Sequence, residues 1–218
     1  MIRGLIFDFD GLILETEGPI YQSWNEFYQA HNCQLSFEVW AGAIGKEEAA
    51  YDPLGELEAR IGRRLPPEIV AARRRRETEL IAVQATRPGV RAYLESARRL
   101  GLKTGLASSS SCAWVVGHLN RLGLLGYFDC LRAADDVQKT KPDPDLYLAA
   151  LEGLGLAASE AVAFEDSPNG ILAAKRAGLL CVAVPHELTR RLSLDRADYR
   201  LDSLADLPLA DLLSILEE

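Results

Sequence analysis

Two aspartates, Asp8 and Asp10, stand two residues apart directly after the apolar run Leu5-Ile6-Phe7. The run is short, bulky and without alternation, the pattern of a strand buried on both faces in a parallel sheet. Ligands bind at the C-terminal ends of strands in such sheets, so both carboxylates would occupy one small volume there. Like charges that close are unfavourable unless a cation shares the site. Magnesium suits the pair, because it takes hard oxygen ligands and keeps waters that a phosphate oxygen can replace. An aspartate beside such an ion can also attack phosphorus and form an acyl phosphate. The structural alternative makes Asp10-Gly11 a hairpin turn joining Leu5-Ile6-Phe7 to Leu12-Ile13-Leu14. The pentapeptide Phe7 to Gly11 does not choose between the two.

Three further polar clusters follow apolar runs, and each has a plain structural reading. Ser108 to Ser111 contains an N-cap candidate; at a strand end, a serine hydroxyl and the amides of the next helix would also hold an anion. Lys141 sits in the turn Lys139-Thr140-Lys141-Pro142-Asp143-Pro144, where a lysine is ordinarily solvated. Pro142 forces Lys141 into extended geometry, and an ammonium delivered there would neutralise both a phosphate and an attacking aspartate. In Glu165-Asp166-Ser167-Pro168, Ser167 reads as an N-cap and Pro168 as the first helical residue. Capping does not account for two acids directly after the apolar Ala161-Val162-Ala163-Phe164, whereas magnesium ligation does.

The elements that must position these groups are legible from Val90 onward. A helix to Leu100 precedes the strand Lys103 to Ala107, and a second helix runs to about Leu122 before a strand near Cys130-Leu131. A helix from Asp145 to about Leu154 leads to the strand at Ala161, another ends at Gly178, and Leu179 to Val184 is the next strand. Strand and helix alternating at this spacing imply right-handed βαβ units around a parallel sheet. Between Glu15 and Arg87 the β-branched runs vanish and the chain becomes charged and helical. Ile20, Trp24, Phe27 and Tyr28 share one helical face, and Pro66-Pro67 opens another helix. The run Arg73 to Arg76 is expected to be a solvated helix face, since consecutive helical positions splay to different sides. Thr86-Arg87-Pro88-Gly89 marks the return, with Pro88 as a helix start.

With 218 residues, 48% hydrophobic and 26% charged, the chain has the make-up of a soluble globular protein with a sizeable core. A net charge of −8 argues against general nucleic-acid binding. The four cysteines are scattered, so they are expected to be reduced and mostly buried in a cytoplasmic protein. Neither a secretory signal nor a membrane span is visible, and with no exposed seam the chain is expected to be a monomer.

Asp8 and Asp10, then Ser108, then Lys141, then Glu165 and Asp166, in that order, resemble the four signature motifs of the haloacid dehalogenase superfamily of magnesium-dependent phosphotransferases. The likeness covers nearly the whole chain. It is nearest to the β-phosphoglucomutase and small-molecule phosphatase branch, whose helical cap is inserted between the first and second motifs. The resemblance implies a Rossmann-like, doubly wound α/β core of residues 1–14 and 88–218 with an α-helical cap of residues 15–87. It implies that Asp8 is the nucleophile and Asp10 the general acid and then base, with Ser108, Ser109 and Lys141 on the phosphoryl group. Asp8, the main-chain carbonyl of Asp10, Asp166, and Glu165 directly or through water would form the Mg2+ site. The implied reaction is hydrolysis of a small phosphate monoester, a sugar phosphate or similar metabolite.

Departures from the branch bear on the substrate. Glu15 stands where relatives have aspartate, and Ile20 where β-phosphoglucomutase has a histidine that helps its sugar phosphate react, which favours a phosphatase over a mutase. Lys46, in Gly45-Lys46-Glu47-Glu48, is the candidate cap contact to substrate. Tyr21, Trp24 and Tyr51 are candidates for the cap face or for its core, and Asn169 for bracing the metal loop. His31, His118 and His186 match no motif. A phosphomutase and a phospho-acceptor signalling domain are the alternatives; Asp8-x-Asp10 and the helical insertion disfavour the second. A catalytically silent binder would have lost a motif residue, and none is lost.

Overall fold

The computed structural model describes residues 1–43 and 51–217, and its centre is strand β1 (Gly4–Phe7), buried along its whole length. Five more strands follow: β2 (Lys103–Ala107), β3 (Cys130–Arg132), β4 (Ala161–Glu165), β5 (Leu180–Ala183) and β6 (Tyr199–Arg200). They form one sheet in the order β3-β2-β1-β4-β5-β6 with every pairing parallel. The strand order turns at β1, so its C-terminal end is the switch point at which doubly wound sheets bind ligands. The hairpin alternative fails here: Leu12 to Leu14 turns back on Phe9 through main-chain hydrogen bonds and does not pair with β1.

Among the described residues, four helices lie between β1 and the return of the core: α1 (Glu17–Gln29), α2 (Phe37–Ala43), α3 (Pro53–Ile61) and α4 (Pro67–Ala82). The core helices are α5 (Val90–Arg99), α6 (Cys112–Leu122), α7 (Asp145–Leu154), α8 (Pro168–Arg176) and α9 (Leu209–Leu216). Period-2 alternation sends Leu5 and Phe7 of β1 to one face, with Tyr93 and Leu94 of α5, Leu119 of α6 and Leu212 of α9. Ile6 faces the other side, with Leu146 and Ala150 of α7 and Ala173 of α8. Phe7 stacks on Phe164 of β4 with ring centroids 4.9 Å apart.

The inserted helices bury a cluster of their own, including Phe27, Tyr28, Trp40, Leu57 and Leu65. Tyr21 packs edge-on against Phe37, with centroids 5.4 Å apart, and Tyr51 against Trp40, so both belong to this packing. The arginine run corrects the sequence expectation in part. Arg74, Arg75 and Arg76 are exposed, but Arg73 is buried, lying 4.1 Å over the Trp24 ring and pairing with Glu77 and Ser23. Its guanidinium stacks on an aromatic face, which a solvated helix face would not provide. Two cysteines, Cys130 and Cys181, are buried, but Cys112 is exposed.

The two chain crossings between the core and the inserted helices lie side by side, Leu14 bridging antiparallel to Thr86. Arg87 clasps them, donating to the carbonyls of Gly11 at 2.5 Å, Val184 at 3.0 Å and Pro185 at 2.8 Å. Helix α5 begins at Val90 rather than at the expected Pro88, with Gly89 as its N-cap.

Candidate active site

Three strand ends and one turn bring the motif residues together. The Asp8 amide extends β1 by donating to the Phe164 carbonyl at 3.0 Å, which aims its side chain over the C-terminal edge. The chain then turns at Gly11, φ 81°, where an added Cβ would come within 2.4 Å of the Asp166 carboxylate. Glycine alone takes that backbone conformation with so close an approach. From the turn before α7, Lys141 reaches back with its side chain only 6% exposed, its Nζ 2.5 Å from Asp8 Oδ1 and 2.6 Å from Glu165 Oε1. Ser108, 1% exposed at the end of β2, accepts the Ser110 amide on its hydroxyl at 3.0 Å. Ser111 caps α6, accepting the Trp114 amide at 3.3 Å, so capping and site lining fall to different serines. Ser167 caps α8 in the same way, as expected.

Three carboxylates face one ammonium. Burial pushes Asp8 well above the ordinary carboxylate range against the opposing pull of Lys141, and burial likewise raises Glu165. For Lys141 burial acts downward, but Asp8 and Glu165 hold it above the usual lysine value. Asp8, Glu165 and Asp166 each offer an oxygen within 4.8 Å of the others. An all-oxygen, buried donor set carrying excess negative charge fits a hard divalent cation. The three differ in what they have to spare. Glu165 already accepts from Lys141, from Tyr147 at 2.5 Å and from the Asp166 amide at 3.2 Å. Asp8 Oδ2 accepts no hydrogen bond among the described residues, and Asp166 has His186 Nε2 3.1 Å away.

Gly170, in the first turn of α8, lies under Glu165, and a Cβ there would fall 1.9 Å from Oε2. Gly170→Ala is therefore expected to destabilise the protein by about 1–3 kcal/mol, as overpacking against a group that cannot move. Urea denaturation measures this; a wild-type midpoint would mean that Glu165 has room to shift.

These residues open into a cleft of about 470 Å³. Asp8, Asp10, Lys141 and Asp166 form its floor with Ser108 to Ser110, and Asn169 also lines it. The facing wall comes from the inserted helices: Thr16, Glu17 and Ile20 at the start of α1, Glu77 and Ile81 from α4. The Thr16 hydroxyl is buried without a hydrogen-bond partner. Tyr21, Trp24 and Tyr51 do not line the cleft among the described residues, and Lys46 lies outside those residues.

Four neighbours of the site were given no individual role by the sequence. Ser110 and Trp114 each donate a hydrogen bond to Asp10, His186 stands against Asp166 and 3.6 Å from Glu15, and Glu17 lines the wall. Ser110 lay in the serine run already singled out, and Glu17 carried a signal as an acid in the first turn of the first inserted helix. Burial, and then the Asp166 charge, lift its carboxyl to about 7 against the opposing effect of His186.

The model of the haloacid dehalogenase-like hydrolase family matches residues 5–184. A Bacillus subtilis (strain 168) protein named "Putative phosphatase YhcW" is 47% identical over 99% of this chain and 98% of its own. The "Phosphorylated carbohydrates phosphatase" of Thermotoga maritima is 28% identical over 100% of this chain and 99% of its own. Among solved structures, CbbY from Rhodobacter sphaeroides in complex with phosphate superposes with a TM-score of 0.73 at 32% identity, covering 97% of this chain and 99% of that one. No helix among the described residues is long and apolar enough to cross a membrane.

Proposed function

The chain belongs to the haloacid dehalogenase-like hydrolases, and from that premise we propose that it is a magnesium-dependent phosphatase of a small phosphate monoester. The observation that carries this is the Lys141 ammonium, held between Asp8 and Glu165 on the floor of a cleft that Asp10 and Asp166 share. Asp8 attacks phosphorus; its O–P bond forms as the ester P–O bond breaks, and the leaving oxygen takes a proton from Asp10. Asp10, now a base, takes a proton from water, whose oxygen displaces Asp8 and releases inorganic phosphate. Ser108, Ser109 and Lys141 hold the phosphoryl oxygens, since positioning and charge neutralisation do most of the work in this chemistry. Magnesium, held by Asp8, Asp166, the Asp10 carbonyl and Glu165 directly or through water, would supply Lewis-acid neutralisation of the phosphate. The saturated hydrogen bonding of Glu165 favours the water-mediated contact.

Residues 15–87 act as a cap over the core of residues 1–14 and 88–218, hinged at the paired crossings beside Arg87, and closure excludes bulk water. The leaving group meets the wall of Glu17, Ile20, Glu77 and Ile81, which suits a neutral, hydroxyl-bearing alcohol such as a sugar. Ile20 gives that wall no proton-relaying group at its position, which favours hydrolysis over mutase turnover. The four cysteines are free, which is in keeping with a cytoplasmic location. Phosphate release from sugar phosphates, phosphoglycolate and nucleotides, with magnesium and with EDTA, tests the proposal. Interconversion of a sugar phosphate on addition of a bisphosphate, without release, would establish the mutase instead.

Glu17 supplies a pH prediction. Folded Glu17 keeps its proton up to about 7, whereas the unfolded chain releases it near the ordinary value of 4.5. Its contribution to stability is therefore present at low pH and lost as pH rises through about 7. In EDTA, Glu17→Gln is expected to match wild type at pH 5 and exceed it by roughly 1 kcal/mol at pH 8, allowing for solvent in the cleft. Thermal melts at the two pH values check this, and a pH-independent difference would contradict it.

A further inference from the structure

We propose that Trp114 and Ser110 are positioning residues for the general acid: together they fix the Asp10 carboxyl and decide which of its oxygens carries the proton given to the leaving group. The inference rests on the phosphatase proposal, in which Asp10 protonates that group.

Both Asp10 oxygens are engaged by side chains that follow β2, the strand paired with β1. The Trp114 indole Nε1 lies 3.0 Å from Oδ1, and the Ser110 Oγ lies 2.7 Å from Oδ2. The two partners differ chemically. An indole N–H donates and never accepts, whereas a hydroxyl does both by rotating. Oδ1 facing Trp114 is therefore the poorer site for the proton, since an indole N–H bonds a bare carboxyl oxygen more strongly than a protonated one. Oδ2 can carry the proton, because Ser110 can accept its hydrogen bond in the resting site and turns back to donate once the leaving oxygen takes the proton. The asymmetry assigns the acidic proton to Oδ2 and leaves Oδ1 as the acceptor.

Each partner is itself fixed. The Ser110 amide donates to Ser108 Oγ at 3.0 Å, and its carbonyl accepts the Ala134 amide at 2.9 Å. Trp114 sits in the first turn of α6, capped by Ser111, with its ring edge-on to His118 at 4.3 Å between centroids. This links the serine run after β2 to the acid after β1, apart from the phosphate contact made by Ser108. When the ester P–O bond breaks, its electron pair stays on the leaving oxygen, and the Oδ2 proton moves to it. The resulting Asp10 carboxylate is stabilised by the same two donors until water returns a proton.

A general acid matters in proportion to how poor the leaving group is, which separates positioning from mere structural support. The readout is kcat/KM, which covers Asp8 phosphorylation, for 4-nitrophenyl phosphate and for the sugar phosphate turned over fastest in the panel above. The phenolate departs with little proton assistance; the alkoxide does not. Trp114→Phe is expected to lower kcat/KM for the sugar phosphate by ~10- to 100-fold, part of what a general acid contributes, and to lower it for 4-nitrophenyl phosphate at least fivefold less. Equal losses with both esters, or none, would overturn the proposal. Ser110→Ala is expected to show the same split and serves if Trp114→Phe does not fold. Wild-type enzyme that releases phosphate from neither ester would instead defeat the phosphatase proposal itself.

Discussion

Asp8→Asn is expected to reduce phosphate release by at least ~10³-fold, because removing a covalent nucleophile eliminates the step that the rest of the site serves. The same substitution should leave the apo protein as stable as wild type or more so. Asp8 is 7% exposed, and its ionised form is opposed first by burial and then, after the favourable Lys141, by the charges of Glu165 and Asp166. An amide of the same shape removes that opposition, and Lys141 still has Glu165. Magnesium supplies the second half of the test. Wild type should gain melting temperature as magnesium is added, since a ligand that binds only the folded state stabilises it by mass action. Asp8→Asn should gain much less, having lost one donor. Undiminished release, or an equal magnesium shift in both proteins, would remove Asp8 from these roles.

Lys141→Ala carries the largest expected effect on stability. The ammonium is the one cation within hydrogen-bond reach of two buried carboxylates among the described residues, 2.5 Å from Asp8 and 2.6 Å from Glu165. Deleting one side of a buried ion pair leaves uncompensated charge, an effect of about 3–5 kcal/mol. The pH dependence has a definite sign. Both carboxyls are raised in the folded protein even with Lys141 present, and without it they bind protons more tightly still. The folded variant then holds protons that the unfolded chain has lost, so its stability falls as pH rises through the folded values. Urea denaturation should show a larger deficit at pH 8 than at pH 5.5, and Glu165→Gln in the Lys141→Ala background should recover part of it. A variant with the wild-type midpoint at pH 8 would mean that solvent or a bound ion already balances these carboxylates.

Some expectations held because they depend only on chain direction. Asp8 and the Glu165-Asp166 pair directly follow apolar runs, and Ser108 follows the strand Lys103 to Ala107; a parallel sheet delivers all three clusters to one edge. The short strand β6 and helix α9 were not read, since two paired residues have no periodicity and the C-terminal leucines carry no site motif. The arginine run shows where local rules stop. Splaying along a helix correctly exposes Arg74 and Arg75, but the Trp24 ring and Glu77 draw Arg73 inward.

The sequence by itself determined strands β1 to β5 with their alternating helices, the helical insertion after the first strand, and the acids and serine that follow those strands, because repeating patterns and strand polarity are properties of the chain. Only the tertiary structure decided what each of those groups touches. Trp114 and Asp10 are separated by 104 residues, and the His186 ring meets Asp166 from a loop beyond the next strand. Glu17 shares the cleft with Ser108, Lys141 and Asp166, all distant from it in sequence. Hydrogen bonds and pKa shifts arise from distances of a few ångströms, and those are set by how the layers pack, which no local spacing encodes.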